Sequence, residues 1–140
     1  MTSPALLAFL KMQPREGDAD SAEIITNPEL RAKVIVQIER FPAVALPNAE
    51  EPVVVAGAVL SDDMAEMWMV AGAGFDKQLR PLVRQLRHLI STAREALAPR
   101  AIKICVNPDR PGTERFARAL GFAYEKRTAA HVYTLNQKGT

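Results

Sequence analysis

The chain has 140 residues, 48% of them hydrophobic, with 18 Lys and Arg against 16 Asp and Glu for a net charge of +2. A domain of this size buries roughly 68–70% of its unfolded surface, and a mean hydropathy of -0.06 excludes a disordered chain. The small net charge makes no general case for nucleic acid, a single cysteine excludes an internal disulfide, and no apolar run approaches the ~20 residues of a membrane span.

In chain order, Ala5-Leu-Leu-Ala-Phe-Leu10 is a compact apolar run closed by Gln13-Pro14. Its length and the proline predict a first strand. It is too short for a signal-peptide core, with no basic start and no small-residue cleavage site, so the expectation is a cytoplasmic protein. Gly17-Asp-Ala-Asp20 predicts a turn and a cap before a short helix at Ala22 to Ile25. Asn27-Pro28-Glu29 is a second helix start: a capping side chain, a proline at the first helical position and an acid beside the positive helix end. Leu30, Val34, Ile38 and Phe41 then fall on one helical face, although the β-branched run Val34-Ile-Val36 also suits a strand.

Pro42 and Pro47 bracket a short strand, Ala43 to Leu46. The run from Pro52 to Leu60 is nearly all apolar, as in a strand covered on both faces, with Gly57 marking a bulge or a close approach. Ser61-Asp-Asp63 is a hairpin turn into the strand Ala65 to Val70, which carries Trp68. A glycine-containing turn leads to a long amphipathic helix whose stripe is Leu79, Leu82, Val83, Leu86, Ile90, Ala93 and Leu97. Pro81 belongs in its first turn, so regular helix begins near Leu79, and Pro99 ends it. Ala101 to Val106 is the next strand, where Cys105 reads as a small buried hydrophobe. A loop from Asn107 to Gly112 precedes a helix starting at Thr113-Glu114 and stopped by Gly121. Two strands, Ala123 to Lys126 and His131 to Leu135, close the chain around Thr128-Ala-Ala130.

Strand, paired helices, three strands, long helix, strand, short helix and two strands is an α/β (α+β) order. It resembles the GCN5-related N-acetyltransferase (GNAT) fold across essentially the whole chain, which implies one domain over residues 1–140. That domain would be a mixed, mostly antiparallel sheet flanked by helices, with a central long helix after the Trp68 strand. The strand reaching Asn107 and the segment Arg115-Phe-Ala-Arg-Ala-Leu-Gly-Phe122 are similar to the family's closing signature. Ala56-Gly57, Glu66-Met-Trp-Met-Val70, the basic helix from Arg80 to Arg87 and His131-Val-Tyr-Thr-Leu135 resemble more closely the small GNAT-like proteins of short-tailed bacteriophages, of the internal virion type.

The resemblance implies three pieces of chemistry to look for. The first is a pyrophosphate cradle, an Arg/Gln-x-x-Gly-x-Gly/Ala loop at the long helix's start, where bare backbone brings N–H groups to phosphate oxygens. Counting back from Leu82-Val83, the glycine positions fall near Lys77 and Leu79. Gly72-Ala-Gly74 lies earlier, follows Met69 and not Arg or Gln, and reads first as a plain tight turn between strand and helix. If acetyl-CoA binds, Gly72, Gly74, Lys77 and Arg80 are the residues to hold it. The second is an acid for the departing thiolate, a tyrosine in many members, where this chain has Ala117. The third is a general base, for which Glu66 is the candidate, with a solvated strand-end carboxylate as the alternative.

His88 and His131 have no Cys or carboxylate at ligand spacing, so no metal site is expected. Lys77, Arg80, Arg84, Arg87 and Arg94 face only Asp76 and Glu95 nearby. That basic stripe is a solvated face or a contact surface for acidic protein, nucleic acid or a CoA phosphate, with Arg84, Arg87 and Arg94 as its partner-facing residues. The sequence favours a structural role: a virion-associated or assembly protein in host cytoplasm and virion, with other phage proteins or copies of itself as partners and no cofactor. An acetyl-CoA-dependent N-acetyltransferase, and a binding module for nucleic acid or a small molecule, are the alternatives.

Overall fold

The computed structural model describes residues 3–15, 19–48, 50–98, 100–106, 111–126 and 131–135. Two compact units emerge, Met1–Val59 with Met69–Leu82, and Leu60–Trp68 with Val83–Thr140.

The first unit opens with a helix, not the expected strand. Helix α1 spans Pro4–Lys11, capped by Ser3, whose hydroxyl accepts from the Leu6 N–H at 3.1 Å. A cap, a proline at the first helical position and strong helix formers behind it outweigh an apolar run that has no period of its own. Ala5, Ala8 and Phe9 are its buried side. Helix α2 (Ala19–Thr26) already includes Asp20, so the predicted cap at that residue is inside the helix, and the rest of the predicted turn lies outside the described residues. Helix α3 (Pro28–Arg40) begins as its sequence predicts, the Asn27 side-chain Oδ1 accepting from Glu29 and Leu30 N–H groups at 3.0 and 3.3 Å.

Arg31 ties these helices together. Its guanidinium donates to Ile25 O and to Leu10 O, both at 3.1 Å, and lies 5.4 Å from the Phe9 ring centre. Both acceptors are last-turn carbonyls of α2 and α1, groups without helical partners that favour a cation. Strand β1 (Ala43–Leu46) packs on α1 and pairs antiparallel with β2 (Val54–Leu60). Gly57 pairs regularly with Ala43, so of the two expectations, bulge or close approach, no bulge interrupts the β1–β2 pairing. Val54 and Val55 are fully buried, as a covered strand requires.

The second unit takes the hairpin at Ser61, whose N–H donates to Met64 O at 2.9 Å, and the first residues of β3 (Met64–Ala71). Its strand order is β3-β4-β6-β5, with β4 Ala101–Val106, β5 Phe122–Lys126 and β6 His131–Leu135. Only β3 and β4 run parallel, paired from Met64↔Ala101 to Met67↔Ile104; the β4–β6 and β5–β6 pairs are antiparallel. Helix α4 spans Leu79–Leu97 as its apolar stripe predicts; its first residues, to Leu82, and the 3-10 turn at Phe75–Gln78 before it belong to the first unit. Helix α5 begins at Pro111, earlier than the expected Thr113, because proline suits a first helical position; it runs to Ala119. Gly121 ends it with φ 102, its N–H on Arg118 O at 3.0 Å. The expected turns at residues 107–110 and 128–130 lie outside the described residues. The architecture is a mixed α+β, mostly antiparallel sheet with helices and a long helix after the Trp68 strand.

Candidate functional site

The segment from β3 into α4 is where a phosphate cradle belongs, and local packing dictates its shape. Gly72 is buried, and a Cβ there would meet Met12 Cγ at 2.7 Å and Gln13 O at 2.9 Å. Only glycine permits that approach, which closes an antiparallel bridge between Pro14 and Gly72. Gly74 turns the chain with φ 90, and Phe75, 6% exposed, plugs the turn into the core.

This geometry takes up the backbone donors. The Gly72 N–H donates to Val53 O at 2.7 Å and the Ala73 N–H to Gln13 O at 3.0 Å. The Phe75 N–H reaches Gly72 O at 3.3 Å and the Lys77 N–H Gly74 O at 3.1 Å. Pro81, third residue of α4, has no N–H to offer. Beside the turn, Arg15 grips Asp76 with two bonds, Nη2 to Oδ1 at 2.6 Å and Nε to Oδ2 at 3.3 Å, and lies 4.8 Å from the Phe75 ring centre. Lys77 and Arg80, the cations that would meet phosphates, are both exposed.

Glu66 lies in the second unit, exposed on β3 between buried Ala65 and Met67 and in register with Lys103. Alternation puts it on the face of Trp68, while Ile102 and Ile104 point to the buried side of β4. The same alternation exposes Cys105, contrary to the expectation of burial. Ala117 is fully buried on α5, as Phe116 and Leu120 near it in sequence are buried, so the position where the resemblance implies a thiolate acid lies in the core. Tyr124 is 41% exposed, standing opposite Tyr133 in the β5–β6 register.

Arg84 and Arg87 are exposed on α4, whereas Arg94 is half-buried. At 3.6 residues per turn Arg94 falls beside the Val83–Ile90 edge of the apolar stripe, which accounts for its burial. The Nε1 of Trp68 and the Oε1 of Gln85 are enclosed without a hydrogen-bond partner, a feature sequence reasoning gave no sign of. No group of His, Cys, Asp and Glu among the described residues is placed to hold a metal, and no described helix is long and apolar enough to cross a membrane.

No family model and no curated protein matches the sequence. Among solved structures, one described as a GnaT-family acetyltransferase from Bordetella pertussis is similar with a TM-score of 0.54 and 14% identity, over 93% of this chain and 86% of that one. A bacterial toxin is similar with a TM-score of 0.52 and 16% identity, over 96% of this chain and 84% of the toxin. At these identities the likeness is one of architecture, and the chain has a GNAT-like fold.

Proposed function

We propose that this chain is a GNAT-fold scaffold of the phage type, a virion-associated or assembly protein that works through its surface and does not transfer acetyl groups. The observation that carries the non-catalytic part is the turn before α4, where the N–H groups of Gly72, Ala73, Phe75 and Lys77 already donate to protein carbonyls. A family loop binds pyrophosphate because such donors are open. Buried Ala117 in place of a thiolate acid, and Glu66 exposed where a base would need a less solvated setting, support the same reading. The phage-type role rests on the sequence resemblance. Its partners would be other particle proteins or further copies of the chain, met in the host cytoplasm and carried into the virion; the exposed Arg84–Arg87 face of α4 is a separate contact surface of the scaffold.

The test is to follow thiol release from acetyl-CoA with polyamine and protein-lysine acceptors. The expected outcome is a rate equal to the buffer blank, unchanged in Glu66→Gln. Locating the chain in purified particles tests the assembly role, and absence from both particles and assembly intermediates would remove it. The second reading, an active N-acetyltransferase, is favoured by one observation, the exposed Lys77 and Arg80 at the start of α4. Turnover that disappears in Glu66→Gln would establish that reading.

A further inference from the structure

Charge is distributed unevenly along this chain. Residues 77–94 hold Lys77, Arg80, Arg84, Arg87 and Arg94 and no acid, so with a net charge of +2 overall the rest of the chain carries -3. Lys77, Arg80, Arg84 and Arg87 are exposed, and none of the four has an ion pair or hydrogen bond through its side chain among the described residues. Asp76, the nearest acid in sequence, is held by Arg15 at 2.6 Å.

The arrangement works against the helix that bears it. Arg80 and Arg84 are a like-charged pair one turn apart, which lowers helix stability. Cations in the opening turns also oppose the helix dipole, and α4 has no acid in its first turn to offset them. Breaking two local rules with no internal compensation is the mark of a surface kept for an external anion.

What surrounds the row selects the anion. The exposed neighbours along it are Pro81, His88, Ser91 and Thr92, and the one exposed large hydrophobic among residues 77–94, Leu79, lies toward its end and not at its centre. A protein partner needs an apolar or aromatic centre to its contact. A single strand needs rings on which bases stack. A duplex backbone needs only cations and hydroxyls. We propose that the arginine row of α4 docks on the phosphate backbone of a nucleic-acid duplex without reading its sequence. This deepens the scaffold reading and rests on it for treating α4 as the contact surface.

The experiment is fluorescence anisotropy of the full chain with a short labelled DNA duplex of mixed sequence, over a salt series. Sequence-independent binding in the ~10⁻⁴–10⁻⁶ M range is expected, with log K falling against log salt at a slope of about -3 to -4 for four phosphate contacts. Arg84→Glu/Arg87→Glu should bind at least tenfold more weakly, with a slope shallower by ~2. Lys33→Glu/Arg40→Glu, an equal charge change at exposed sites on α3, should stay within about twofold of the parent. Circular dichroism checks each fold, and Arg84→Gln/Arg87→Gln replaces the reversal if that variant unfolds. Equal losses in the α3 control, no duplex binding at low salt, or tighter binding to poly-L-glutamate would each overturn the proposal. Acetyl-CoA titrated into the same preparation separates the two readings. Absent duplex binding without CoA binding removes this inference alone, whereas micromolar CoA binding removes the scaffold reading.

Discussion

Gly72 and Gly74 lie two residues apart and are glycine for different physical reasons. At Gly72 the constraint is space, with Met12 and Gln13 within 3.0 Å of where a Cβ would sit. At Gly74 it is backbone conformation, φ 90, with only Val53 Cγ2 nearby at 3.7 Å. Asparagine tolerates the left-handed region but still brings a Cβ. Gly74→Asn should therefore cost less than ~1 kcal/mol, and Gly72→Ala about 1–3 kcal/mol through overpacking. Urea unfolding midpoints check both, and the reverse order would show that the turn is not held against residues 12–13. Gly121 at φ 102 belongs with Gly74: Gly121→Val should lower stability by ~1 kcal/mol or more, and an unchanged midpoint would contradict the end assigned to α5.

Arg31 is the side chain on which the helical part of the first unit depends. It binds last-turn carbonyls of two helices through different nitrogens, a fork that lysine cannot reproduce. Arg31→Ala should cost ~2 kcal/mol by the scale of hydrogen bonds to charged groups, and Arg31→Lys should recover less than half of it. Full recovery by lysine would reduce the role to charge alone. Nothing in sequence marked this residue, because its partners come from α1 and α2, whose placement is tertiary. The long helix was legible to the residue, since its apolar stripe and Pro81 fix both face and start. The opening helix was misread because its apolar run lacks a period, although Ser3-Pro4 carried the correct signal. Cys105 was legible in principle: Ile102 and Ile104 bury one face of β4, so alternation puts Lys103 and Cys105 on the other. The closure of the cradle was not, because the carbonyls of Gln13 and Val53 that accept from it lie far off in sequence.

At the scale of the whole molecule, a GNAT-like architecture is present, and the proposal that the chain does not transfer acetyl groups rests on the turn before α4. The N–H groups of Gly72, Ala73, Phe75 and Lys77 already donate to protein carbonyls, the Arg15–Asp76 ion pair stands beside them, and a proline occupies the helix's opening turn. On that proposal, two or three missing charge-assisted bonds at ~1.5–3 kcal/mol each would weaken acetyl-CoA binding by several powers of ten. Isothermal titration calorimetry of acetyl-CoA into the full chain tests this most directly. The account predicts no binding heat at tens of micromolar cofactor, and a micromolar dissociation constant would contradict it.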